Sequence, residues 1–266
     1  MKNKHKKAAL ALLLCFTLSG CRKEASPAPV SPAPTPSPTA EAWQTLPLPD
    51  VLVAPAKVNG SLPDVSLLGT ISDVDIFLYG LSEALGGGVL LCCGQQRVHF
   101  EQRFFPQDLS IAQLPVLYWK DFDGDGQFEL AVKYHTGQDE SGGCTYDLVF
   151  YRPNGETWSA VSASQSFCAE AILKEINTSW NERTNTCTLS CSGQQVLVAL
   201  PADTAPGRLV IGHLCLFTAE EGQFTVICDA WFPVLSDSAA IFRAQIIYDG
   251  ISVALQNIHM DSFSGV

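Results

Sequence analysis

Positive charge is what this sequence has least of. Sixteen lysines and arginines stand against 27 aspartates and glutamates, a formal charge of −11 over 266 residues. Four of those cations, Lys2, Lys4, Lys6 and Lys7, crowd the first seven residues. Without them, 12 basic residues face 27 acidic ones and the formal charge is −15. Such a surface repels a phosphate backbone, which argues against nucleic acid as a partner. The motifs of familiar catalysts are also missing. There is no GxSxG elbow, no HExxH pair and no SxxK followed by its partner motifs. No glycine-rich loop leads into a helix, so phosphate has no cradle. His99, His135, His213 and His259 each stand alone in or at the end of a predicted strand, as surface or core histidines do. No repeat of fixed period is present, so propeller blades cannot be counted from the sequence.

The N-terminus carries a pattern of its own. After the basic head MKNKHKK comes the apolar run Ala8 to Leu18, about eleven residues. That is too short to span a bilayer as a helix, which takes roughly 20. A basic head, a short apolar core and small residues at its end are the parts of an exported leader. Leu18-Ser19-Gly20-Cys21 resembles the lipobox of bacterial lipoproteins. The resemblance implies cleavage before Cys21, a lipid on that cysteine and extracytoplasmic anchoring to the cell membrane. Each buried CH₂ of such a lipid contributes about 0.8 kcal/mol, so two or three chains hold a domain firmly. Residues 25–41, ASPAPVSPAPTPSPTAE, hold six prolines and almost no large apolar side chain. Such a segment favours extended polyproline II and could reach roughly 50 Å. The expected organisation is a signal peptide over 1–20, a lipid-anchored linker over 21–41 and an extracytoplasmic β domain over 42–266.

Eight cysteines remain beyond Cys21: Cys92, Cys93, Cys144, Cys168, Cys187, Cys191, Cys215 and Cys228. An even number in an exported chain is consistent with disulfides. LVIGHLCLFTAEEGQFTVICDAWF reads as two strands around Glu220-Glu221-Gly222, which places Cys215 opposite Cys228 and makes a cross-strand bridge geometrically possible. Free cysteines acting as small apolar residues are the equal alternative. Cys187-x₃-Cys191 has a zinc-like spacing, but no second pair follows at the usual distance.

Strand signals dominate the rest. DVDIFLYG (73–80), GVLLCC (88–93), RVHFEQRF (97–104), QLPVLYW (113–119) and FELAVKYH (128–135) are short and apolar or alternating. CTYDLVFY and TWSAVSA flank Pro153-Asn154-Gly155, and AIFRAQIIY and ISVALQNI flank Asp249-Gly250, both strong hairpin turns. VLVALP, RLVIGHLCLF and QFTVICDAWF add further strands. Phe167, Ala171, Ile172 and Ile176 have helical spacing, predicting one helix over 167–180. The expected fold is all-β and mainly antiparallel, a sandwich or a small or partial propeller, with one or two short helices at most.

One segment carries chemistry: Asp121-Phe122-Asp123-Gly124-Asp125-Gly126-Gln127-Phe128-Glu129-Leu130. Carboxylates at alternate positions converge when such a loop curls, and calcium takes six to eight hard oxygen ligands. Asp121, Asp123 and Asp125 are side-chain candidates, Gln127 a backbone-carbonyl candidate, and Glu129 a carboxylate acting directly or through water. Gly126 permits the sharp turn. Four crowded carboxylates repel one another unless a cation joins them. An EF-hand requires a bidentate Glu at loop position twelve, and here that position is Val132. DxDGDGxxEL entering a strand instead resembles the FG-GAP or VCBS-type calcium loops of integrin-like propellers and bacterial surface proteins. In that family the ion stiffens the loop between strands, and repeat members carry several loops where this chain has one. An empty acidic turn and a catalytic or signalling metal are the alternatives.

These readings converge on a membrane-anchored surface protein, a binding or scaffold module with one structural Ca²⁺ and a protein or carbohydrate ligand. The rival is an extracytoplasmic hydrolase with an unfamiliar active site. Tyr118, Trp119, Tyr134, Tyr146 and Trp158 read as core or cross-strand residues before they read as a carbohydrate platform.

Overall fold

The computed structural model describes residues 42–52, 63–101, 113–138, 144–220 and 222–262. The leader, Cys21 and the proline-rich segment to residue 41 lie outside them. So do residues 102–104 of the strand expected over 97–104, and Glu221 of the turn between the Cys215 and Cys228 strands. Among the described residues, no helix is long and apolar enough to cross a membrane.

The fold is all-β and antiparallel, built as four meanders in which each strand pairs with its chain neighbour. The first holds β1 (Val65–Ile71), β2 (Ile76–Leu81), β3 (Val89–Cys93) and β4 (Gln96–Phe100). The second holds β5 (Val116–Lys120), β6 (Glu129–Gln138), β7 (Cys144–Asn154) and β8 (Thr157–Ala163). Helix α1 (Gln165–Lys174) leads to the three-stranded meander β9 (Asn177–Asn181), β10 (Thr186–Cys191) and β11 (Gln194–Ala199). The last holds β12 (Val210–Glu220), β13 (Gln223–Trp231), β14 (Ala240–Tyr248) and β15 (Val253–Ser262). Three single turns of 3₁₀ helix complete the described elements.

The second meander is the middle of the molecule. From one face, Leu130, Val132, Val149 and Tyr151 pack against Leu68, Ile76, Leu78, Val89 and Leu91 of the first meander. From the other, Ala131, Leu148 and Phe150 join a larger core with α1, β10, β11 and β12–β15. A sheet covered on both faces needs consecutive apolar residues, and Leu130-Ala131-Val132 supplies them. The outer face of the first meander, Leu67, Tyr79, Leu81 and Leu90, is covered by Trp43, Leu46 and Leu48. Arg97 Nη1 fastens that cover by donating to the carbonyls of Gln44 at 2.9 Å and Leu46 at 3.1 Å.

The helix differs from its sequence expectation. Ser164 caps it, its Oγ accepting from Phe167 N at 3.1 Å, and Cys168 and Ile172 are its buried pair. It ends at Lys174 rather than near 180, and Asn177–Asn181 forms β9 against β10. Asn, Thr and Ser are weak helix formers, so the available strand edge decides the conformation of this segment. β1 and β10 are additional to the strands expected. In β10, Cys187, Leu189 and Cys191 are buried on one face, so that spacing is a strand's inward side.

Candidate metal centre

The acidic loop joins β5 to β6 and is held from below by one aromatic ring. Phe122 packs edge-on against Phe150 at 5.5 Å between centroids and lies 5.4 Å from Phe224. Aromatic pairs of this kind contribute about 0.5–1.5 kcal/mol each beyond simple burial. With Phe122 seated in the core, its neighbours Asp121 and Asp123 are fixed at the surface above it.

Backbone donors then turn the carboxylates inward. Asp121 Oδ1 accepts from Gly124 N at 2.7 Å and its Oδ2 from Gly126 N at 2.9 Å. Asp123 Oδ1 accepts from Asp125 N at 3.1 Å, and Asp125 Oδ1 from Gln127 N at 2.8 Å. Gly126 has φ +90°, a conformation that costs glycine little and other residues much. Glu129, the first residue of β6, is fully buried, and its Oε2 accepts from Phe122 N at 2.9 Å.

Three of the four predicted carboxylate ligands come together. Ligand oxygens of Asp121, Asp123 and Glu129 all lie within 4.8 Å of one another, a group that could hold a metal ion. Asp125 does not belong to that group. Asp125 Oδ2 is turned to Arg152, and Gln127 Nε2 donates to the Pro153 carbonyl at 2.8 Å. A metal fits the residues on one specific count. Glu129 Oε1 is buried and has no hydrogen-bond partner, an arrangement that costs free energy unless a cation answers it. Burial, foremost, and then the neighbouring charges of Asp123 and Asp125 push the Glu129 carboxyl above its ordinary value, against the Phe122 N–H and Arg152.

Arg152, near the end of β7, is the residue that local sequence reasoning missed. Its Nη1 donates to Asp123 Oδ2 and its Nη2 to Asp125 Oδ2, a fork spanning two carboxylates. Nη1 also stands 3.9 Å from Glu129 Oε1. Burial works against its charge, but the hydrogen bonds to Asp123 and Asp125 and their charges outweigh it and raise its pKa. The Gln127 N–H, then Arg152, holds the Asp125 carboxyl below its ordinary value, against a smaller burial effect. One guanidinium therefore answers part of the charge of three carboxylates.

Beside the loop lies a cleft of about 810 Å³, walled by Asp123, Asp125 and Arg152, by Asn154 and Ser159, and by the β14–β15 turn around Asp249. Tyr248 forms its floor, stacked on Phe150 at 4.5 Å and donating to the Gly250 carbonyl at 3.1 Å. Among the described residues, the cleft lining includes no histidine. His135 is buried elsewhere, beside Tyr146 and Gln113.

The cysteine pair follows the predicted register, with Cys215 directly opposite Cys228. Their sulfurs lie 3.2 Å apart as free thiols, and both are buried. Cys168 of α1 extends the pair by hydrogen bonding to Cys215. Cys187 and Cys191 are also free and buried. No family model, curated protein or solved structure matches this chain.

Proposed function

We propose that this protein is a membrane-anchored surface lipoprotein whose β domain is a binding or scaffold module stiffened by one calcium ion. Asp121, Asp123 and Glu129 would hold the ion, which supplies no chemistry beyond charge and coordination. The observation that carries this reading is the buried Glu129 Oε1, which has no hydrogen bond, in a carboxylate within 4.8 Å of two others. Hard carboxylate oxygens suit calcium over softer metals. Stiffening matters here because the loop forms a wall of the cleft, where a ligand would sit. The anchor rests on Leu18-Ser19-Gly20-Cys21 and on the proline-rich stretch that would lift the domain from the membrane.

The test is a thermal melt of the full chain in detergent, with EDTA, then millimolar calcium, then magnesium. A rise specific to calcium is expected, since magnesium demands a smaller and stricter octahedral site. An unchanged melting temperature at saturating calcium would refute the ion. Retention of Cys21→Ser in the membrane fraction, processed as the native chain is, would refute the anchor.

A further inference from the structure

Resting on the calcium reading, we propose that Arg152 is the acidic loop's built-in counter-ion and competes with the metal for Asp123, so that calcium enters by displacing the guanidinium. Asp123 Oδ2 and Asp125 Oδ2 are both occupied by the arginine fork. The same Nη1 stands 3.9 Å from Glu129 Oε1, the oxygen left without a hydrogen bond. A divalent cation drawing on both Asp123 and Glu129 would lie against that nitrogen. Two positive charges at such separation repel, and repulsion inside a partly buried site is weakly screened.

The arginine's seat is shaped for it. Gly250, at φ +85° in the β14–β15 turn, lies so close to Arg152 that a Cβ at this position would collide with Nη1 and with Asp123 Oδ2. The seat is thus a floor of two carboxylates under a glycine roof. The cleft next to it, lined by Asn154, Ser159 and Asp249, gives the side chain room to withdraw. Arginine stays charged at every physiological pH, so the competition is permanent. It sets a calcium threshold, and loops of this charge lacking such an arginine would load at lower concentration.

Calcium titration calorimetry on the full chain in detergent tests this, with the native protein, R152K and R152Q. R152Q should bind calcium roughly tenfold tighter or more, the scale set by removing one adjacent positive charge. R152K keeps the charge but loses the fork and should fall between native and R152Q. Unchanged or weaker binding in R152Q would overturn the proposal, assigning Arg152 to support the loop. Tighter binding in R152Q alone, with R152K as native, would also overturn it, leaving through-space charge without competition for oxygens. Native protein silent with R152Q binding would uphold the competition and refute native calcium loading. Silence in every variant would refute both.

Discussion

The β5–β6 loop gathers four carboxylates, and the space between α1, β12 and β13 gathers three thiols; the protein treats these two groups in opposite ways. Asp121, Asp123, Asp125 and Glu129 are each given a backbone N–H, and two of them share a guanidinium. Cys168, Cys215 and Cys228 are given chiefly one another and hydrocarbon, in a core with Ala230, Phe232 and Phe242, with the charges of Asp147 and Asp229 as lesser influences. The difference follows from ionisation. Hydrogen bonding to Cys215 and then burial push Cys168 and Cys228 well above the ordinary thiol range, so both stay neutral, while the hydrogen bonds from Cys168 and Cys228 hold the Cys215 thiol below it. Neutral thiols pack as small apolar groups. A carboxylate resists this, so Asp121 and Asp125 keep contact with solvent, while Asp123, its side chain 7% exposed, is answered by Arg152. Glu129 is fully buried, and there burial raises the carboxyl pKa and one oxygen is left without a hydrogen bond.

The strongest way to break this comparison is to exchange the two chemistries. Cys228→Asp places a carboxylate where no donor awaits it, and the expected cost is about 3–5 kcal/mol, enough to unfold a marginal domain. Cys228→Val keeps the volume and polarity class and should cost under about 1.5 kcal/mol. Denaturant midpoints of both variants check this. An Asp variant as stable as the Val variant would mean that the thiol cluster is not dry.

Calcium dependence gives the next largest effect. Asp123→Ala with Asp125→Ala removes one carboxylate of the gathered triad and both carboxylates of the Arg152 fork. A ligand at a hundredfold its Kd stabilises by about 2.7 kcal/mol. That whole increment should vanish from the melt of the double variant. A calcium-dependent rise that survives would move the ion site away from the loop.

The thiol pair was legible in the sequence and the arginine was not, for reasons of register. Gly222 closes a tight turn in which Glu220 pairs with Gln223, so counting outward reaches Cys215 opposite Cys228. An irregularity between Ile211 and Cys215 falls beyond the pair and leaves this count intact. Arg152 needs a count from β6 to β7, where Leu130 pairs with Tyr151. A bulge between His135 and Gly137 shifts that register, so position along the chain does not reveal which β7 residue meets Glu129. The carboxylates were legible because their spacing is local. The exclusion of Asp125 from the triad was not, because Asp125 Oδ2 is turned to Arg152. β10 was legible in principle through the alternation of Thr186-Cys187-Thr188-Leu189-Ser190-Cys191, but a ligand-like cysteine spacing masked a strand-like one.

The smallest expected effect isolates Glu129, the one carboxylate treated like a thiol. Its folded pKa lies above the ordinary 4.5, so its protonated form favours the fold. In EDTA, that contribution is present below about pH 4.5 and is lost as pH rises through the folded value. Asp125 and Asp249 run the other way. Their carboxyls are held down by backbone N–H groups, and their contribution is present above about 3.8 and lost as pH falls. The whole-protein curve mixes these signs, so the useful quantity is the difference between Glu129→Gln and the native chain. In EDTA the variant should match native protein near pH 4 and melt a few degrees higher at neutral pH. Calcium should invert the order, because the ion needs the charged carboxylate and an amide cannot replace that charge. A variant less stable than native protein in EDTA at neutral pH would show that Arg152 at 3.9 Å already satisfies Glu129. The buried oxygen would then no longer argue for a metal, and the loop would be an acidic turn closed by its own arginine.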